Sequence, residues 1–158
     1  MMMSVCSRYE RNRQDAVSKM NAGFLKILEG LEKRNKEVPF EFWARRIMIN
    51  TAIDDFRKNK TRNGHEVLKE EVDESSMATV NAYVEEMEIQ ELELMIANLP
   101  ETSGKVFNLF AIDGFTHAEI SDMLNMSEGT SRWHVSNARA ILQKAIGERV
   151  QKTQMQLK

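Results

Sequence analysis

Thr130, Arg132, Trp133, Ser136, Asn137 and Arg139 stand close together near the end of the chain. At helical spacing they share the outer face of one helix, opposite Ser131, Val135, Ala138 and Leu142. These residue types suit the edges and phosphates of DNA. Arginine bonds guanine bidentately, asparagine pairs with adenine, and serine or threonine takes a base edge or a phosphate oxygen. The competing reading is a solvated face of an ordinary helical hairpin, but a Trp beside an Arg is unusual on such a surface. A second group lies earlier in the chain. Trp43, Arg46, Asn50, Asp54 and Arg57 or Lys58 recur about a turn apart and run into the basic tail Arg57-Lys58-Asn59-Lys60-Thr61-Arg62. Cations that track phosphates beside a ring that stacks on unpaired bases make a single-strand surface. Trp43 fits a core position equally well, whereas so dense a cationic tail points to a polyanion partner.

The elements that must carry the first group are punctuated in the sequence. Val106, Phe107, Leu109, Phe110 and Ile112 form a buried helix face, and Gly114 supplies the left-handed residue that ends it. Thr116 and Glu119 stand in capping-box register, with Phe115 and Ile120 placed as a hydrophobic staple. That short helix runs through Ile120, Met123 and Leu124 to Asn125, which tolerates left-handed geometry. Ser127 caps the next helix. The stretch Leu99–Ala145 therefore spells a helix-turn-helix, the usual device for laying a helix in the major groove. Upstream, Met87, Leu92, Met95, Ile96 and Leu99 keep helical spacing from Val84, and Pro100 ends or redirects that helix. The rear module spans 84–147 as a four-helix unit, followed by a polar tail over 148–158.

The front module, 1–62, shows two clear helices. The first starts near Asp15 as its N-cap and carries Val17, Met20, Phe24, Ile27, Leu28 and Leu31 on one face, with Gly30 near its end. Glu32-Lys33-Arg34-Asn35-Lys36 is a solvated turn. Pro39 opens the second helix, Phe40 to about Asn59, which bears the basic stripe.

Composition sets the class. Two Pro, seven Gly and few β-branched runs give an all-α protein of two small helical domains. The net charge of −2 hides a division into +6 over 1–62, −9 over 63–99 and +1 over 100–158. The acidic, weakly periodic 63–83 reads as a flexible linker beginning at the turn signal Asn63-Gly64. A lone Cys6 fits a reducing cytosol, and no apolar run of membrane-spanning length or signal pattern occurs, so a soluble, cytoplasmic protein is expected. Enzyme chemistry has little support: His65, His117 and His134 are scattered, and no Gly-rich loop or nucleophile–base pair is present.

Taken together, these residues carry a resemblance. RYERNRQDA, GFLKIL and FWARRIMINTAIDDFRKNK resemble the −10-reading domain of bacterial RNA polymerase sigma factors of the small extracytoplasmic-function group. LPETSGKVF, IDGFTHAEISDMLNMSEGTSR and NARAIL resemble that group's −35-reading domain. Order, spacing and linker position agree over nearly the whole chain. The resemblance implies an initiation factor that binds core RNA polymerase, mainly through the front domain at Asp15, Asn21 and Phe24. It implies −35 contacts from Thr130, Arg132, Trp133, Ser136, Asn137 and Arg139. It further implies a melted −10 strand held by Trp43, Arg46, Asn50, Asp54, Arg57, Lys58, Lys60 and Arg62. An anti-sigma factor is a further implied partner; no metal, cofactor or membrane insertion is implied, and catalysis belongs to the polymerase. Three departures stand out. Only MMMSVCS precedes the RYERN segment, where the family usually has more helix, so the Phe24–Leu31 face is expected to lack part of its partner. Val17, Ser18, Asn21 and Ala22 replace the usual polymerase-gripping residues, so polymerase affinity is expected to be altered. Trp133, His134 and Asn125 replace residues usual in the helix-turn-helix, so promoter preference is expected to be idiosyncratic. The alternatives are a helix-turn-helix regulator without sigma activity, and a decoy that binds polymerase or an anti-sigma factor without initiating.

Overall fold

A computed structural model describes residues 1–63 and 89–156, with side chains described over 1–58 and 89–149. The expected linker lies outside the described residues except for its first position. Every regular element among the described residues is a helix. The chain divides into two compact units, the first including the helices before residue 64 and the second most of the chain after residue 88.

The first unit has three helices, α1 (Met2–Tyr9), α2 (Arg13–Gly30) and α3 (Phe40–Asn63). The opening helix α1 is not expected from the sequence; Val5, Cys6 and Tyr9 bury one side of it. Nor is Asp15 the cap of α2. Asn12 is, its side chain accepting the Asp15 backbone N–H at 2.8 Å, which puts Asp15 inside the first turn, where its charge suits the helix dipole.

The buried side of α2 is also rotated from expectation. Ala16, Gly23 and Ile27 are buried, whereas Phe24, Leu25, Leu28 and Leu31 are exposed. The cause is a close crossing with α3. A Cβ built on Gly23 would lie 2.5 Å from the Met48 Sδ and 3.7 Å from the Met48 Cα, so any larger residue here must displace the Met48 thioether. Ala16 and Gly23 thus share the seam with Ile27, while Phe24, Leu25, Leu28 and Leu31 are turned outward. Ala44, Met48, Ile49, Ala52 and Ile53 are the buried apolar residues of α3. Lys19 pairs with Asp55, and Lys26 meets Asp54 at 3.1 Å, tying the polar flanks of the two helices together.

The second unit contains α4 (Ile89–Ala97), α5 (Glu101–Phe107), the first half of α6 (His117–Leu124) and α7 (Glu128–Gln156); Ser121–Asn125 falls in the first. Leu99, Ala138 and Leu142 form one core cluster, lined by Met95, Ile96, Phe107 and Ile141. The apolar run after Val106 is not one continuous α-helix. It widens into a π turn over Asn108–Ile112, where the Asp113 N–H bonds the Asn108 carbonyl at 2.9 Å. The Phe115 N–H then reaches the Leu109 carbonyl at 2.9 Å, one residue further back than at an ordinary glycine-ended helix. Gly114 at φ +77° makes that return possible.

Candidate nucleic-acid interface

The capping expected from the sequence is present at the starts of α6 and α7. Thr116 Oγ1 accepts the Glu119 backbone N–H at 3.2 Å, and Glu119 Oε2 accepts the Thr116 backbone N–H at 3.0 Å. Asn125 takes φ 50° between the two helices. Ser127 Oγ accepts the Thr130 N–H at 3.0 Å and so caps α7. Ser131, Val135, Ala138 and Leu142 are all buried, which leaves the opposite stripe of α7 facing outward.

On that stripe the six expected residues are not equivalent. Arg132 is exposed and held by Glu128 at 2.7 Å, one turn back. Thr130 shares a 2.9 Å hydroxyl contact with Ser127. Ser136 and Arg139 are half-buried, and the Arg139 guanidinium sits 5.9 Å from the centre of the Phe110 ring. Trp133, expected to be exposed, is half-buried. Its indole nitrogen is buried and its ring stands edge-on to His134 at 5.0 Å. Asn137 is half-buried and donates from Nδ2 to Ser103 Oγ at 3.2 Å.

Two histidines outside the six expected contact residues support this surface from behind. His134 is buried, with Nδ1 at 2.9 Å from Ser103 Oγ. His117, at the start of α6, stacks on Phe110 with centroids 4.4 Å apart and places Nδ1 2.9 Å from the buried Ser131 Oγ. Nothing local in the sequence marks these pairs, because their members lie 31 and 14 residues apart.

Burial of the His117 ring holds its pKa below the usual histidine value, and the neighbouring Arg132 cation and then Arg139 act the same way against Glu128. A histidine harder to protonate folded than unfolded contributes stability that is complete above the unfolded pKa of about 6.5 and is lost as pH falls. The second unit should therefore melt at a lower temperature near pH 5.5 than near pH 7.5, and His117→Gln should narrow the gap. Thermal scans of both proteins would test this. An equal gap in the two would remove His117 as its source.

In the first unit, Arg46, Asn50, Arg57 and Lys58 are exposed on α3. Asp54 is half-buried between cations, 3.1 Å from Lys26 of α2 and 3.2 Å from Arg57 of the stripe. Trp43 is half-buried; a Cβ on Gly30 would lie 3.1 Å from its ring, which also packs against Phe40 at 5.9 Å. Arg34, which the sequence places only in a solvated turn, lies 5.8 Å over the Phe40 ring and bonds the Val38 carbonyl at 3.2 Å, ordering the segment before α3. The side chains of Lys60 and Arg62 lie outside those described. Asp15, Asn21 and Phe24 are all exposed on α2, and Asp15 accepts from Asn12 Nδ2 at 2.6 Å.

Among the described residues no cluster of His, Cys, Asp or Glu could hold a metal ion, and no helix is long and apolar enough to cross a membrane.

Comparison with known proteins gives a consistent result. The family model described as Sigma-70 region 2 matches residues 1–62, and that described as Sigma-70, region 4 matches residues 89–142. A Haemophilus influenzae protein named ECF RNA polymerase sigma-E factor is 26% identical over 144 residues, covering 85% of this chain and 76% of that protein. Among solved structures, the sigma factor RpoE in complex with the anti-sigma factor NepR from Bartonella quintana superposes with a TM-score of 0.55 at 16% identity. That match covers 90% of this chain and 88% of the other. CnrH, solved in complex with the cytosolic domain of CnrY, gives 0.51 at 18% identity, covering 93% of this chain and 80% of that one. At such identities these structures share the fold.

Proposed function

Since the chain belongs to the sigma-70 family of transcription initiation factors, in its extracytoplasmic-function group, we propose that it binds core RNA polymerase and directs it to promoters. In this reading α7 lies in the major groove of the −35 element. The exposed stripe of α3 holds the melted −10 strand. The observation that carries the proposal is the pairing, within one chain, of a fully capped helix-turn-helix with a separate helix that exposes Arg46, Asn50, Arg57 and Lys58. The first suits duplex DNA, and the second suits a single strand, whose phosphates want cations and whose open base edges want hydrogen-bonding groups.

Polymerase is met by the first unit, through the surface of α2 that displays Asp15, Asn21 and Phe24. An anti-sigma protein is a partner suggested by the complex in which the similar Bartonella quintana sigma factor was solved. Bond making stays with the polymerase, and the chain itself supplies recognition.

Core polymerase mixed with this chain should start transcripts from a promoter of defined −35 and −10 sequence. Polymerase that binds the chain yet yields no promoter-dependent transcripts would overturn the initiation function and favour a decoy. Within α7, Arg132→Ala should cost about 1–3 kcal/mol at one −35 base pair if the guanidinium reads a base. Its tether to Glu128 pre-orders the side chain for that contact. A loss spread evenly over all −35 sequences would assign Arg132 to phosphate instead.

A further inference from the structure

Three polar side chains of the second unit meet at Ser103, a residue of α5 that is 2% exposed. Asn137 Nδ2 donates to its Oγ at 3.2 Å, and His134 Nδ1 stands 2.9 Å from the same oxygen. The protons at this junction can be assigned by counting. An amide nitrogen only donates, so the serine oxygen is the acceptor from Asn137. The single serine proton then goes to His134 Nδ1, because any other direction would leave a buried O–H unpaired. The relay runs from the Asn137 N–H to the Ser103 oxygen, and from the Ser103 O–H to the His134 nitrogen. Reversing it would require turning the Asn137 amide and changing the His134 tautomer together.

The relay constrains base reading. A free asparagine offers a donor and an acceptor side by side, the pattern that pairs with adenine. Here the donor end of Asn137 is committed to Ser103, which leaves Oδ1 for an outside partner. In the major groove the groups that donate to such an acceptor are the amino groups of adenine and cytosine, whereas guanine and thymine present carbonyls.

We propose that Ser103 is a positioning residue for promoter specificity: by clamping Asn137 it makes that side chain an acceptor that selects a base amino group at one position of the −35 element. The inference rests on α7 being the recognition helix.

The test uses polymerase reconstituted with the full chain and a promoter library randomised over the −35 element, with transcripts counted by sequence. The native chain should show one position at which adenine or cytosine outperforms guanine and thymine by roughly 5- to 150-fold, the worth of one good base contact. Asn137→Ala should flatten that position alone. Ser103→Ala should relax the same position by freeing the amide to turn, and Ser103→Thr, which keeps the hydroxyl, should restore the preference. Melting curves of each variant report on the fold. A Ser103→Ala chain that loses output equally on all −35 sequences, in step with a lower melting temperature, would reduce Ser103 to a structural residue and overturn the proposal. So would an Asn137→Ala chain with every positional preference intact. A native chain with no −35 preference at any position would overturn the recognition role of α7 itself, and this refinement with it.

Discussion

Gly23→Val should unfold the first unit. The crossing of α2 and α3 leaves room for a hydrogen there and little else, since a Cβ would already stand 2.5 Å from Met48 Sδ. Met48 is fully buried, so its tail has no solvent to retreat into. Alanine is a milder case. The thioether can shift rotamer, and the gain in helix propensity of about 1 kcal/mol over glycine offsets part of the overlap. Valine adds two further methyl groups that cannot share the space, and overpacking of this kind costs about 1–3 kcal/mol or more. Against the marginal stability of a small helical domain, that is a large fraction. The expected result is a lost or strongly lowered thermal transition for the first unit and no promoter-dependent transcription. Binding of a −35 duplex by the second unit should survive. Calorimetry and duplex titration would check the two halves separately. A Gly23→Val chain that melts like the native protein would mean that the seam is looser than the Gly23–Met48 approach indicates.

Leu109→Ala should do comparable damage to the helix-turn-helix. Leu109 is fully buried, and its carbonyl receives the Phe115 N–H that closes the turn after the π segment. Truncation of a buried leucine costs about 2–5 kcal/mol through lost transfer energy and the cavity left behind. The loss falls at the junction that sets where α6 begins, so duplex binding should fall together with stability. Chemical denaturation of the variant, followed by duplex binding at matched folded fraction, would separate the two effects. A stability loss below about 1 kcal/mol would show that neighbouring side chains collapse into the space.

The rear half of the protein is legible in its sequence because its signals are local. Gly114, Asn125, the Thr116–Glu119 pair and Ser127 act on backbone groups within a few residues of themselves, and all take the geometry their types demand. The buried stripe Ser131, Val135, Ala138 and Leu142 comes from helical periodicity in the same way. The front half is less legible. Hydrophobicity alone would bury Phe24, Leu28 and Leu31, yet the helix turns Ala16 and Gly23 inward, because closeness of approach to α3 decides the seam. The same gap separates residue type from role on the proposed reading surfaces. By type Asp54 is one more member of a polar stripe, and in the fold it is engaged by Lys26 and Arg57. By position on the helix Trp133 faces outward, and in the fold it is half-buried against His134.

By itself, then, the sequence determined the class, the order of the elements, the helix-turn-helix with its caps, and the family to which the chain belongs. Those depend on short-range backbone chemistry and on periodicity, and both are written within a few residues. Only the tertiary structure decided which face of α2 is buried. It alone brought Ser103 to Asn137 and His134, so that the donor end of the Asn137 amide is engaged at a buried hydroxyl. Such contacts join residues more than 30 positions apart. No local pattern encodes them, because they exist only once two helices have packed and a buried hydroxyl must find partners for both its oxygen and its proton.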